Sequence, residues 1–133
     1  MNINKFFTLA KNASEFSNFD RIKIGSVLVY KNKVISVGYN MKKSHPYQKI
    51  LNKYGKYNQD RINNYLHSEI NCLLSVKDLN INWNKVYIFI YREDKNGNLA
   101  MCKPCSSCVN ALKEIGIKKV FYTDKNGYNY IEL

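Results

Sequence analysis

The sequence lacks several features that would place it in other classes of protein. No apolar run approaches the roughly 20 residues that a membrane-spanning helix needs, and residues 1–7 lack the long apolar stretch of a secretory signal. There is no internal repeat, no low-complexity segment and no stretch typical of a disordered tail. The chain has 133 residues, of which 45% are hydrophobic, and this suits one folded domain over residues 1–133. We therefore expect a single-domain, soluble, intracellular protein without membrane contacts.

Acidic residues and arginine are also scarce. The chain has 10 Asp and Glu against 21 Lys and Arg, only three of them arginine, so that the formal net charge is +11. A field of this sign attracts phosphate groups, as in proteins that bind nucleic acids. The alternative is compositional, because abundant Lys, Asn, Ile and Tyr are also what an AT-rich genome encodes. The charge by itself leaves both explanations open.

Hydrophobic periodicity and turn residues predict alternating helices and strands. Residues 3–17 show the spacing of a helix with one apolar face. The β-rich runs 25–30 and 34–39 are separated by only three residues and predict an antiparallel hairpin. Further along, we expect helices over 67–78 and 104–115, and strands over 85–91, 119–123 and 128–132. The predicted fold class is α/β, a three-layer α/β/α sandwich around a five-stranded mixed sheet.

Three cysteines crowd into seven residues, and two of them predict a metal site together with a histidine. Cys105 and Cys108 share one face of a predicted helix, and His67 stands at the start of another. Two thiolates and one imidazole make a three-ligand zinc site whose fourth position stays open for water, as in catalytic sites. Glu69 follows two residues after His67, and its carboxylate is suited to take a proton from that water. We predict one Zn²⁺ per chain, with Glu69 as the catalytic residue.

A structural zinc knuckle is the alternative interpretation of the same cysteines. Cys102 would then be the fourth ligand, because it precedes Cys105 by three residues. This interpretation leaves Glu69 without a role. We expect Cys102 to lie at a strand end near the site, and Cys72 to be a packed core thiol.

The pattern His-x-Glu at 67–69, followed by Pro-Cys-x-x-Cys at 104–108, matches the signature of zinc-dependent nucleobase deaminases. Across nearly the whole chain the sequence resembles the cytidine deaminase superfamily. The resemblance implies the α/β/α sandwich, zinc bound by the histidine and the last two cysteines, and a proton shuttle at Glu69. It also implies that Asn40 contacts the substrate sugar, with an ordinary turn residue as the alternative.

Within the superfamily, the last two predicted strands discriminate between branches. About four residues, Asp124 to Gly127, separate them, and Asn126-Gly127 is a hairpin signal, so the fifth strand must run antiparallel to the fourth. That arrangement resembles free cytidine deaminases and bacterial toxin deaminases that attack nucleic acid. The motif His-Ser-Glu-Ile-Asn at 67–71 instead resembles deoxycytidylate deaminases. The superfamily and the serine pair between the cysteines favour cytosine over adenine as the base.

Residues 41–66 form a long basic segment whose composition indicates nucleic-acid binding. Pro46 and Gly55 break it, a short helix is expected over 59–66, and Asp60 is its only acidic residue. Its lysines and tyrosines offer cations for phosphates and rings for stacking bases, as single-strand binding requires. We therefore predict deamination of cytosine in single-stranded DNA. The predicted substrate contacts are Asn40, Lys42, Lys43, His45 and Tyr47.

Other interpretations of this segment stay open at the level of sequence. The same lysines suit the phosphate of free dCMP or another cytidine nucleotide, as in pyrimidine salvage. The segment is also compatible with a solvated loop whose tyrosines only pack it against the rest of the protein. A non-catalytic nucleic-acid-binding module with structural zinc belongs to a third class, but Glu69 would then be unexplained. The oligomeric state does not follow from the sequence.

Overall fold

The computed structural model describes residues 1–54 and 65–133, the last two residues of the first range by their backbone alone. The helices are Ile3–Ser14 (α1), Pro46–Tyr54 (α2), Ser68–Leu74 (α3) and Ser106–Ile115 (α4). The strands are Lys23–Tyr30 (β1), Lys33–Tyr39 (β2), Met41–Ser44 (β3), Tyr65–Leu66 (β4), Val86–Glu93 (β5), Lys119–Asp124 (β6) and Gly127–Glu132 (β7). A 3₁₀ turn, Trp83–Lys85, precedes β5. None of the helices in these two ranges is long and apolar enough to span a membrane.

Five strands form one mixed sheet in the order β2-β1-β5-β6-β7, and β3 and β4 pair separately. β1 is antiparallel to both β2 and β5, and β5 is parallel to β6. The parallel pair is connected through α4, whereas β6 and β7 form a tight antiparallel hairpin in which Asp124 pairs with Gly127. Gly127 has a φ of +135°, a conformation that glycine tolerates best. The predicted five-stranded mixed sheet and its antiparallel last pair are confirmed.

Helices cover both faces of the sheet, which gives the predicted three layers. Since neighbouring residues of a strand point to opposite faces, Phe89 of β5 belongs to one side and Ile88 to the other. α1 packs on the Phe89 side, where the ring of Phe7 stands edge-on to that of Phe89 at a centroid distance of 5.2 Å. α2, α3 and α4 pack on the Ile88 side and share one hydrophobic cluster there.

Gly38 of β2 lets α3 approach the sheet closely. A Cβ atom at this position would lie 2.6 Å from the backbone N of Cys72 and 2.5 Å from the carbonyl O of Ser68. Both neighbours are backbone atoms of α3, so no side-chain movement would relieve the overlap. The absence of a side chain at Gly38 therefore sets the distance between α3 and the sheet.

Two helices are shorter than predicted. α1 ends at Ser14 rather than at residue 17, because the amides of residues 15–17 bond the carbonyls three residues back and tighten the chain into a turn. α3 ends at Leu74 rather than at residue 78, where the amides of Val76 and Leu79 likewise bond the carbonyls three residues back. In both cases the residues that follow the helix, which the sequence predicted as helical, form hydrogen-bonded turns instead.

The segment after β3 differs most from expectation. Pro46, predicted as a breaker, is the first residue of α2, a position that suits proline because its missing N–H is not needed there. His45 precedes it, and its Nδ1 accepts a hydrogen bond from the backbone N of Tyr47 at 3.1 Å, as a capping residue does. The helix predicted over 59–66 lies outside the described residues as far as residue 64, as does Gly55, and residues 65 and 66 are strand β4.

Candidate metal centre and active site

The three predicted metal ligands meet where α3 and α4 begin. His67 immediately precedes α3, Cys105 is the N-cap residue of α4, and Cys108 lies in the first turn of α4. α4 begins at Ser106 rather than at Pro104, because Cys105 still has an extended backbone with φ −69° and ψ 170°. The ligand nitrogen and the two sulphur atoms lie within 4.8 Å of one another. Within residues 1–54 and 65–133, this is the one group of three or more such side chains that could hold a metal ion.

The spacing of these atoms fits tetrahedral zinc. Zn–S bonds of ~2.3 Å and Zn–N bonds of ~2.0–2.1 Å at a tetrahedral angle place sulphur and nitrogen about 3.6 Å apart. In the structure, Nδ1 of His67 lies 3.3 Å from Sγ of Cys108 and 3.6 Å from Sγ of Cys105. Three ligands of this kind leave one coordination position for water. The residues therefore fit a catalytic zinc ion.

Hydrogen bonds within the cluster prepare the thiols for a metal. The hydrogen bond that the thiol of Cys108 donates to Cys105 lowers the pKa of Cys105 to about 4. His67 also lowers this pKa, whereas burial acts in the opposite direction. The same bond, together with burial, raises the pKa of Cys108 well above its ordinary value. Burial lowers the pKa of His67, but the hydrogen bond with Cys105 and the charge of Glu69 outweigh it, so the net shift is upward. Because zinc takes deprotonated ligands, its binding releases the protons held here.

Glu69, the predicted proton shuttle, is buried beside the ligands. Only 5% of the residue is exposed, and its carboxylate acts on Cys108 through both its charge and a hydrogen bond. The carboxylate atom Oε1 accepts a hydrogen bond from Oγ of Ser68 at 2.6 Å. Oγ of Ser68 lies in turn 2.7 Å from Oγ of Ser26 in β1. Glu69 is thus fixed next to the metal position without belonging to the three-ligand group.

A buried glutamine that sequence analysis missed fixes the backbone at His67. Gln48 of α2 is completely buried, and its Oε1 accepts a hydrogen bond from the backbone N of His67 at 3.1 Å. Its Nε2 donates to Oδ1 of Asn52 at 3.0 Å. A glutamine among lysines and tyrosines gives no local sign of burial, and its partner at the site is 19 residues away. Residues 41–66 contain six amide side chains, so nothing in the sequence singles out this one.

A cavity of about 240 Å³ opens onto the metal centre. His67, Cys105 and Glu69 form part of its wall, and most of the remaining wall is apolar or aromatic. The rings of Phe19 and Tyr65 meet there edge to face, with centroids 5.9 Å apart. An apolar cavity with a few convergent polar groups is the usual form of a small-ligand site.

Asn40, the predicted sugar contact, lines this cavity. Its side-chain amide bonds the backbone that leads into β1: Oδ1 accepts from N of Ile24 at 2.9 Å, and Nδ2 donates to O of Ile22 at 2.7 Å. Asn40 therefore holds one wall of the cavity in place. Its contact with the substrate sugar stays a prediction.

The other four predicted substrate contacts lie outside the described lining of the cavity: Lys42, Lys43, His45 and Tyr47. Lys42 approaches the wall, with Nζ 5.7 Å from the ring centre of Phe19 and 3.6 Å from Oδ2 of Asp20. Lys43 is exposed. Tyr47 packs against the hydrophobic cluster beneath α2, α3 and α4, so its ring serves the core. Substrate contacts of these four residues stay predictions.

The remaining cysteines are held away from the ligand group. Sγ of Cys102 donates to the carbonyl O of Ile90 at 3.3 Å and lies 3.2 Å from Oγ1 of Thr123, which ties it to β5 and β6. Burial raises the pKa of Cys102 to about 11 and that of Cys72 to about 12. Cys72 is completely buried, as predicted for a core thiol. The three-ligand group excludes Cys102, which a structural zinc knuckle would need as its fourth ligand.

An α/β/α sandwich that brings one histidine and two cysteines within reach of one metal ion, with a buried glutamate beside them at the wall of a cavity, has the features of a zinc-dependent deaminase. The comparison with known families agrees. Residues 1–124 match the family described as the cytidine and deoxycytidylate deaminase zinc-binding region, and the chain belongs to this family. The predicted superfamily, the zinc cofactor and a deaminating enzyme are thereby confirmed. No curated protein matches the sequence at a significant level.

Solved structures show the same fold at low sequence identity. The cytidine deaminase of Burkholderia pseudomallei has a TM-score of 0.69 and 18% identity, with 99% of this chain and 93% of that chain covered. The dCMP deaminase of cyanophage S-TIM5, in its apo form, has a TM-score of 0.63 and 22% identity over 90% of this chain and 80% of that one. The cytidine deaminase of Mycobacterium tuberculosis has a TM-score of 0.56 and 14% identity, covering 97% and 89%.

Proposed function

We propose that this protein converts cytosine to uracil on a free pyrimidine nucleotide, with release of ammonia. The observation that carries the proposal is the position of Glu69 beside the three zinc ligands, at the wall of an apolar cavity of about 240 Å³. A cavity of this size accommodates one pyrimidine base with its sugar. Membership of the cytidine and deoxycytidylate deaminase family supports cytosine as the base.

The reaction assigns a separate role to the metal ligands and to the carboxylate. His67, Cys105 and Cys108 would hold the zinc ion, which when bound would lower the pKa of a water molecule so that it could act as a nucleophile near neutral pH. Glu69 takes a proton from the attacking water and delivers it to the ring N3, and it then carries a second proton to the departing amine. A C–O bond forms at C4 as N3 gains the first proton; the second proton comes from the new C4 hydroxyl, and the bond from C4 to the amine then breaks, which releases ammonia and leaves the C4 carbonyl. The apolar wall keeps bulk water away from these proton transfers.

Lys103 supports a substrate that carries a phosphate. Among the described residues of the cavity wall it is the single lysine or arginine, and its side chain is exposed. None of the ion pairs in the described part of the chain involves Lys103. A cation at the mouth of an apolar cavity attracts anions of the size of a phosphate. The cyanophage S-TIM5 enzyme, which shares the fold, has been solved in complex with dCMP and dUMP.

The test is to assay cytidine, dCMP, an RNA and a cytosine-containing oligonucleotide side by side. We expect dCMP to be the best substrate, and Glu69→Ala to abolish its turnover while zinc stays bound. Lys103→Gln should raise KM for dCMP by about 3–10-fold and leave KM for cytidine unchanged, since a charge-assisted contact of an exposed lysine is worth this much. Lys113→Gln on the exposed end of α4 is the matched control for charge. Faster turnover of cytidine than of dCMP would contradict a nucleotide substrate.

Cytosine in single-stranded DNA is the second candidate, and the surroundings of Phe19 favour it. Phe19 and Tyr65 present a pair of rings at the cavity, with Lys42 over one of them. Rings beside cations are the surface on which bases next to the target would stack. Lys43 and Lys49 are exposed on the same segment.

Salt dependence separates the two substrates. If this surface binds along a DNA backbone, the logarithm of the affinity should fall against the logarithm of the salt concentration with a slope of about −0.7 per phosphate contacted. Several contacts would give a slope of about −2 or steeper. Replacing Lys42, Lys43 and Lys49 with Gln should flatten that slope and leave zinc content intact. A shallow slope, together with faster turnover of dCMP than of any oligonucleotide, would exclude DNA and leave the free nucleotide.

A further inference from the structure

Two buried serine hydroxyls connect Glu69 to the centre of the sheet. Oγ of Ser68 donates to Oε1 of Glu69 at 2.6 Å, and Oγ of Ser26 lies 2.7 Å from Oγ of Ser68. Ser26 is 0% exposed and Ser68 1%, so water does not reach these groups. The three side chains form one polar line from β1 to the active site.

The direction of the hydrogen bonds follows from the number of protons. A serine hydroxyl has a single proton to donate, and that of Ser68 goes to the carboxylate. Ser26 must therefore donate to Ser68 in the short contact between them. Bonds that run in one direction toward a charge strengthen one another in a low-dielectric interior. The line thus ends on one identified oxygen of Glu69, Oε1.

The line begins on a rigid part of the molecule. Ser26 lies within β1, which is hydrogen-bonded on both sides, to β2 and to β5. A glutamate side chain has three rotatable bonds, and burial alone does not select one orientation of its carboxylate. A hydrogen-bonded connection between one carboxylate oxygen of Glu69 and the central strand β1 does select an orientation.

We propose that Ser68 is a positioning residue for Glu69 and that Ser26 anchors it to the sheet. The inference rests on the proposed function, because it assigns the orientation of the carboxylate that moves protons. Ser26 lies outside the described lining of the cavity, whereas Ser68 belongs to that lining but is only 1% exposed and directs its hydroxyl proton to Glu69. Their loss should lower kcat and leave KM nearly unchanged, because a misplaced catalytic group slows the chemical step without weakening binding.

The experiment compares three serine-to-alanine variants of the zinc-loaded protein with dCMP as substrate. Ser68→Ala should lower kcat about 10–100-fold, the range found when an outer-shell partner of a catalytic group is removed, with KM within about twofold. Ser26→Ala, which leaves the direct donor in place, should lower kcat by a smaller factor. Ser36→Ala is the matched control, because Oγ of Ser36 donates to the carbonyl O of Cys72 at 2.6 Å and also links the sheet to α3. It should keep normal kcat.

A readout without catalysis comes from urea unfolding of the same variants. If Ser68 bonds Glu69 as proposed, Ser68→Ala should shift the unfolding midpoint clearly in the parent chain and less in a Glu69→Ala background. Equal shifts in both backgrounds would overturn the proposal, as would normal kcat in Ser68→Ala or an equal loss of kcat in Ser36→Ala. Full activity of Glu69→Ala would instead refute the proposed function, and the role of Ser68 with it.

Discussion

Substitution of Gln48 tests whether α2 stabilises the zinc centre through the backbone of His67. Gln48→Met keeps the length and approximate volume of the side chain but removes both of its polar ends. The backbone N of His67 would lose its acceptor at 3.1 Å, and Oδ1 of Asn52 its donor at 3.0 Å. A buried donor that loses its acceptor costs roughly 1–3 kcal/mol, and a lost neutral hydrogen bond a further ~0.5–1.5 kcal/mol. We therefore expect the metal-free variant to lose about 2–4 kcal/mol of unfolding free energy.

The same substitution should weaken zinc binding, because His67 would no longer be held by its backbone. Removal of a contact that orients a ligand typically costs about 10–100-fold in metal affinity. Urea unfolding measures the first effect, and competition with a chelator measures the second. Lys49→Met is the matched control, since it places the same new side chain on an exposed position of the same helix. Normal stability and normal zinc affinity in Gln48→Met would refute the role assigned to this contact.

Three further predictions concern the metal centre and its packing. Cys108→Ser should lose most bound zinc by elemental analysis while Cys102→Ser keeps it, and zinc loss in the second variant would restore the structural zinc knuckle with Cys102 as its fourth ligand. Gly38→Ala should lower the unfolding free energy by about 1–3 kcal/mol, because its Cβ would overlap the backbone N of Cys72 2.6 Å away, and an unchanged denaturation midpoint would contradict this. In the zinc-free protein, iodoacetamide followed by mass spectrometry should label Cys105 first, at a rate nearly constant from pH 6 to 8 in line with its lowered pKa of about 4. A rate that rises tenfold per pH unit over that range would show an ordinary thiol.

The zinc ligands were predictable because their signal is local and their chemistry is restrictive. Two cysteines one helical turn apart, with a proline before them and a His-x-Glu on a second helix, leave few other uses for those residues. The strands were predictable for a similar reason, since the hairpins 23–39 and 119–132 are set by short turns. Short connections exclude parallel pairing regardless of the rest of the chain.

α2 was missed because its buried face is largely polar. Among residues 46–52, whose side chains the structure describes, the buried ones are Gln48, Leu51 and Asn52, and two amides among three positions leave no apolar stripe in the sequence. The helix is stabilised by contacts with distant residues, which a local pattern does not contain. Tyr47 illustrates the same limit: the sequence left open whether its ring stacks on a base or packs the segment down, and the structure shows the ring partly buried against the core.

The hydrogen bonds from Ser26 through Ser68 to Glu69 could not be predicted from the sequence either. Ser26 and Ser68 are 42 residues apart, and serine is common in turns, at helix starts and on surfaces. Only the register of β1 against β2, and the close approach of α3 over Gly38, brings the two oxygens together. Sequence reasoning identified the groups that do chemistry, and the structure was needed to identify those that hold them.

The placement of β5 between β1 and β6 sets the order in which the metal centre is assembled. His67 is made before β5 and Cys105 after it, 38 residues later. A growing chain that has not yet reached Cys105 contains one ligand of the three and no means of retaining zinc. In the finished fold the two ligand-bearing segments are brought together by β5, which pairs with β1, and by α4, so we expect metal capture to follow the closure of this long loop. A molecule that retains zinc is therefore one in which these two segments have met.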